Sequence, residues 1–187
     1  MPFIILRTTS RAVVTIACML LSIMNGCNGD DVTKANTLNF DGHTRALRSA
    51  FLLYAPDKSP GVDAAYYKNI LMLLSVGLTT NGHTMTGRES AIELSIYGVT
   101  QDLDAGTYTF TGPQNATQAF EMPEGSVQLD GMDTSPSPRG TQMFSFSAGQ
   151  MTVTRSGKDY AIDIAGTVEG KILRAHFTGI MTTQQNN

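Results

Sequence analysis

The sequence predicts an all-β domain, an antiparallel β-sandwich or a flattened up-and-down barrel of about eight to ten strands. Three observations carry this. Apolar and polar residues alternate with period two through Ala91–Tyr97, Gly106–Thr111 and most of the last third of the chain. Turn-forming groups rich in Gly, Asp, Ser and Pro separate these runs. No run has the caps that would mark a helix confidently.

The chain opens with an address. Met1 to Arg11 holds Arg7 and Arg11 and no acid, and Ala12 to Ile23 follows as a run of twelve mostly apolar residues. As a helix that run spans about 18 Å against the roughly 30 Å of a bilayer core, so it reads as the apolar part of an export signal. Cys27 stands just beyond it, and Cys18, the other of the two cysteines, lies inside it. Removing residues 1–26 leaves 161 residues with one cysteine, a count that asks for an explanation in an exported chain.

Met24-Asn25-Gly26-Cys27 resembles a bacterial lipobox, in which a small residue precedes a cysteine that is diacylated and becomes the new N-terminus. Gly26 and Cys27 match that pattern, Met24 replaces its usual Leu, and Asn25 is bulkier than its usual Ala or Ser. The resemblance implies lipid attachment at Cys27 and a membrane partner reached through that anchor. Asn28, not Asp, in the second mature position argues by the same resemblance for the outer membrane, on its periplasmic face or at the cell surface. Residues 27–39, rich in Asn, Asp, Thr and Lys, then read as a flexible tether, with 40–187 as a single β domain.

Within that domain the first strand is expected over Thr44–Tyr54, ended by Pro56 and Pro60. Ala65–Thr79, the most apolar stretch, is read as a strand covered on both faces, although Ile70–Leu74 has helix propensity. Ala91–Tyr97 places Ile92, Leu94 and Ile96 opposite Glu93, Ser95 and Tyr97. Gly106–Thr111 turns Tyr108 and Phe110 inward, and weaker strands are expected near Ala116–Met122 and Ser126–Leu129. Gln150–Arg155, a turn at Ser156–Asp159, Tyr160–Ile164, a turn at Gly166–Gly170 and Lys171–Thr182 form an antiparallel meander with Leu173, Ala175, Phe177 and Met181 inward. The succession from Leu103–Phe110 through Gly149–Thr154 and Tyr160–Ile164 to Phe177–Gly179 is similar to small β-rich lipoproteins of Bacteroidota. That resemblance implies fold and address and brings no functional residues.

Chemistry is harder to find. Without Arg7 and Arg11, 11 basic residues face 16 acidic ones, a net charge of −5 with no basic cluster, so nucleic acid is set aside as a partner. Asp102-Leu103-Asp104-Ala105-Gly106 resembles the start of a calcium loop but reads better as a tight turn, because a strand begins where further ligands are needed. Gly166–Lys171 is one residue short of a phosphate loop and reads as a hairpin. His43, His83 and His176 lie far apart, without ligand spacing for zinc. Glu121 with Glu124, and Asp130 with Asp133, read as solvated acids rather than a glycosidase pair. No catalytic residue, metal or cofactor is assigned.

The expectation is a non-enzymatic binding or structural module of the cell envelope with a glycan or protein partner. Tyr66, Tyr67 and Tyr97 are the candidate sugar-stacking residues. A lipocalin-like interior lined by Met72, Met143 and Met151 is a second binding option. A hydrolase with a loop-built site, or a subunit of a surface assembly, is the alternative.

Overall fold

The computed structural model describes residues 35–55, 66–76, 78–80, 85–87, 90–113, 118–129 and 142–185. Cys27, the residues read as an export signal, most of those read as a tether, His83, Asp130, Asp133 and the prolines at 136 and 138 lie outside them. The described residues form strands and connections, with no helix among them. In chain order the strands are β1 (Thr37–Phe40), β2 (His43–Tyr54), β3 (Tyr67–Ser75), β4 (Leu78–Thr80), β5 (Met85–Gly87), β6 (Ala91–Gly98), β7 (Gly106–Phe110), β8 (Glu121–Leu129), β9 (Gln142–Ser156), β10 (Asp159–Val168) and β11 (Lys171–Gln185).

Nine of these close into a barrel in the order β1-β11-β10-β9-β7-β8-β6-β3-β2, and β4 and β5 pair separately as a ribbon. This resolves the sandwich-or-barrel alternative in favour of the barrel. Its frame is an up-and-down series, β2-β3-β6-β8-β9-β10-β11, each strand antiparallel to the next. The series has an odd number of members, so its first and last run the same way. The closing contact is therefore parallel, Met181–Gln185 against Ala50–Tyr54. Two short strands wedge into seams of this frame. β1 enters between β2 and β11, antiparallel to both, and β7 enters between β8, to which it is parallel, and β9. The barrel is thus mixed rather than purely antiparallel.

β1 starts within the residues read from sequence as tether, at Thr37–Asn39, and ends on Phe40, the first residue of the expected β domain. Asp41 and Gly42 take positive φ angles of 50° and 77°, the two-residue turn that matches strand twist, and they fold β1 onto β2. Leu38 and Phe40 are thereby buried in the barrel core. Asn36 extends the ladder with its side chain: its Nδ2 donates to the Thr178 carbonyl at 2.9 Å, and its Oδ1 accepts from the Thr178 amide at 2.6 Å.

The inward set follows the expected alternation on β6 (Ile92, Leu94, Ile96), β10 (Tyr160, Ile162, Ile164) and β11 (Leu173, Ala175, Phe177, Met181), all in one core. Elsewhere bulges shift it. On β2 the register slips between Leu47 and Ser49, so that Leu47, Ala50 and Leu52 all point inward. The two weak strands expected after Ala116 are one, β8, with an irregularity opposite Ser95–Tyr97. On β9 a slip opposite Thr167–Val168 turns Phe146 inward as well as Met151 and Val153.

That last bulge is a tight corner of the barrel. Phe146 fills the space left by two glycines: a Cβ on Gly125 or on Gly166 would stand 2.9 Å from its ring. Gly149, paired with Gly166, has φ of 155° and its own Cβ position lies 2.8 Å from the Ala165 carbonyl oxygen. The backbones meet here too closely for side chains, and one phenyl ring supplies the volume.

β3 is covered on both faces, as its sequence implies. Leu71 and Leu73 join the barrel core, while Met72 and Leu74 are buried on the outside with Leu53 and Ala91. Between β3 and β6, Leu78–Thr80 pairs with Met85–Gly87 as the β4–β5 ribbon.

Candidate functional site

One end of the barrel is shut by the connection between β6 and β7. Leu103 enters the core fully buried. Asp104 holds the turn: its Oδ2 accepts from the Val99 and Thr100 amides at 2.8 and 3.1 Å, and its Oδ1 from the Thr100 hydroxyl at 2.7 Å. Asp102 ties the turn to the β9–β10 hairpin, accepting from Arg155 Nη1 at 2.6 Å and from the Tyr160 hydroxyl at 3.1 Å. The Arg155 guanidinium also lies 5.0 Å from the Tyr160 ring centre. The calcium-loop resemblance is therefore a turn whose carboxylates serve backbone and side-chain donors. Among the described residues no group of three or more His, Cys, Asp or Glu could hold a metal ion.

Burial pushes the Tyr160 hydroxyl up to about 12, aided by its hydrogen bond to the Asp102 carboxylate. Burial also raises Tyr108, whose hydroxyl donates to the Asp104 carbonyl at 2.9 Å. Both tyrosines are held neutral, so the stability they contribute is intact below their ordinary value of about 10 and is lost as pH rises through the folded-state value. The urea midpoint is expected to hold up to about pH 10 and to fall towards about pH 12. In Asp102→Asn, the tyrosinate absorbance transition should begin at lower pH.

The barrel interior is filled by side chains, among them Tyr108, Phe40, Phe177, Leu52, Leu73, Leu94 and Ile96, each less than 2% exposed. The methionines proposed to line an internal ligand space separate. Met151 faces the core, Met72 the outer apolar cluster, and Met143 is 65% exposed. Of the candidate stacking tyrosines, Tyr97 is buried, and Tyr66 and Tyr67 are half-buried. Glu121 is buried, taking hydrogen bonds from Gln118, while Glu124 pairs with Lys68 at 3.6 Å. His43 is exposed at the start of β2.

The feature with the shape of a site lies on the outer wall, over β1, β11, β10 and β9. Strand register sets outward residues there in rows. One row runs Asn39, Arg174, Ala165, Gln150, and the next runs Thr37, His176, Asp163, Thr152. Ala165 is the only short apolar side chain in these two rows, and it stands between the long Arg174 and Gln150. The result is a hollow of about 360 Å³ with a methyl floor and a polar rim.

The second row is organised by His176. Its Nδ1 lies 2.9 Å from Asp163 Oδ1, and its Nε2 lies 3.0 Å from Thr178 Oγ1. With the carboxylate accepting from Nδ1–H and the Thr178 hydroxyl donating to Nε2, the ring is fixed in one tautomer and one orientation. Asp, His and a hydroxyl in this order are also the first elements of an acyl-transfer relay. Such a relay needs amide donors beside the hydroxyl for the oxyanion. Here the amide of Thr178 is already spent on Asn36 Oδ1.

Sequence reading found His176 but not Asp163, Thr178, Ala165 or Arg174 as its company. No protein-family model matches the chain, and comparison with curated proteins and with solved structures finds no match.

Proposed function

We propose that this chain is a lipid-anchored cell-envelope protein that binds a glycan on the outer wall of its barrel, without catalysis. The hollow over Ala165 carries the reading. It is concave and pre-formed by a sheet, and its rim offers the planar amides of Asn39 and Gln150, the hydroxyl of Thr152 and the carboxylate of Asp163. Closely spaced donors and acceptors of both kinds suit a ligand that is itself covered in hydroxyls. A site on strands rather than loops costs little ordering on binding.

The anchor belongs to the same proposal. Acylation of Cys27, as the lipobox resemblance implies, would hold the barrel at the outer membrane, on its periplasmic face or at the cell surface. A lipid chain contributes about 0.8 kcal/mol per buried CH₂, so two or more chains give stable attachment. A hydrolase is the second reading, favoured by the Asp163–His176–Thr178 hydrogen bonds and weakened because the Thr178 amide is already bonded to Asn36. Assembly by strand addition has less support, because closure pairs the barrel strands on both sides.

The test is a glycan array probed with the full-length, detergent-solubilised chain, alongside mass spectrometry of the membrane-extracted form. Selective capture of oligosaccharides and an acylated Cys27 are expected. Absence of binding to any glycan would remove the binding reading, and an unmodified Cys27 would remove the anchor.

A further inference from the structure

Resting on the reading of the hollow as a glycan site, we propose that it takes an acidic sugar, with Arg174 holding the sugar's carboxylate. Arg174 is exposed on the rim, and no hydrogen bond or ion pair ties it to another described residue. Three other cations of the barrel are paired with carboxylates: Lys68 with Glu124, Arg155 with Asp102 and Lys171 with Asp41. An open guanidinium on an acidic chain is a ready counter-charge for an anion. Its planar fork matches a carboxylate with two parallel hydrogen bonds.

The rows also fix the direction in which such a ligand lies. Asp163, held by His176, puts negative charge on the second row and repels an incoming carboxylate from that side. The ligand's carboxylate therefore faces the Asn39–Arg174–Gln150 row, and its hydroxyls face Thr152 and Asp163. The methyl of Ala165 meets the apolar face of the ring. At about 360 Å³ the hollow is near the small end of ligand sites, room for one sugar unit rather than a long chain.

The experiment titrates the full-length chain in detergent with three tetrasaccharides: one bearing uronates, the same one with its carboxylates reduced to alcohols, and a neutral one. The uronate form is expected to bind at least about tenfold tighter than its reduced counterpart, with an advantage that shrinks as salt rises. Arg174→Ala, with unchanged far-ultraviolet circular dichroism, should erase that difference, and Arg174→Lys should restore only part of it. Equal binding of the uronate and reduced forms, or a difference that survives Arg174→Ala, overturns the proposal. Preference for the neutral sugar overturns it too but leaves the glycan reading standing. Binding of none of the three overturns both.

Discussion

Phe146→Ala is expected to cost about 3–5 kcal/mol, the range for deleting a phenyl ring from a packed core. The reason is local. The ring is 6% exposed and lies against the positions where Gly125 and Gly166 lack side chains. Glycine has no side chain to move inward, which limits collapse into the void to neighbours such as Leu94, whose Cδ2 stands 2.7 Å from the Gly125 Cβ position. Thermal unfolding followed by circular dichroism should show a midpoint lower by roughly 10 °C or more. A loss under about 1 kcal/mol would mean that the corner is not packed in this way.

The converse substitution is Gly166→Val. Its Cβ would sit 2.9 Å from both the Ala148 carbonyl oxygen and the Phe146 ring. A ring can swing aside, but a ladder carbonyl cannot without opening the β9–β10 pair. A loss of about 3 kcal/mol or more is expected, combining overpacking with backbone displacement. The Phe146→Ala, Gly166→Val double variant should lose less than the two single variants together, since the truncated ring makes room for the valine. Additivity in chemical denaturation would show that Phe146 and Gly166 do not share this space.

How far these features were legible in the sequence depends on which interaction decides each one. β6, β7, β10, β11 and the Gln150–Arg155 part of β9 were readable because each carries alternation, and alternation is a local property. β1 was missed although Asp41-Gly42 is a strong hairpin signal, because Leu38 and Phe40 alone make too short an apolar pattern beside a polar linker. The bulges on β2, β8 and β9 were not readable, since a slip in inward set follows from which strand lies opposite. Closure was not readable for the same reason: it joins β2 to β11, the first and last long strands.

The outer hollow shows the limit most clearly. Asp163 and His176 stand opposite each other only because the β10–β11 turn is the two residues Glu169 and Gly170, with φ of 48° and 79°. Reading the turn as Gly166–Gly170 made it too long, since Gly166–Val168 belong to β10, and left the register open, which decides which side chains become neighbours. Ala165 carried no signal of its own. A small outward residue becomes the floor of a site only when Arg174 and Gln150 rise on either side.

The claim that function sits on this wall can be tested at Ala165 itself. Tyrosine there fills the hollow from a position already exposed and suits a strand, so Ala165→Tyr should fold with a thermal midpoint within about 2 °C of the parent. Its binding to array-selected glycan, measured by titration calorimetry, should fall at least about tenfold. Undiminished binding with the hollow filled would contradict the account and move the site elsewhere on the molecule.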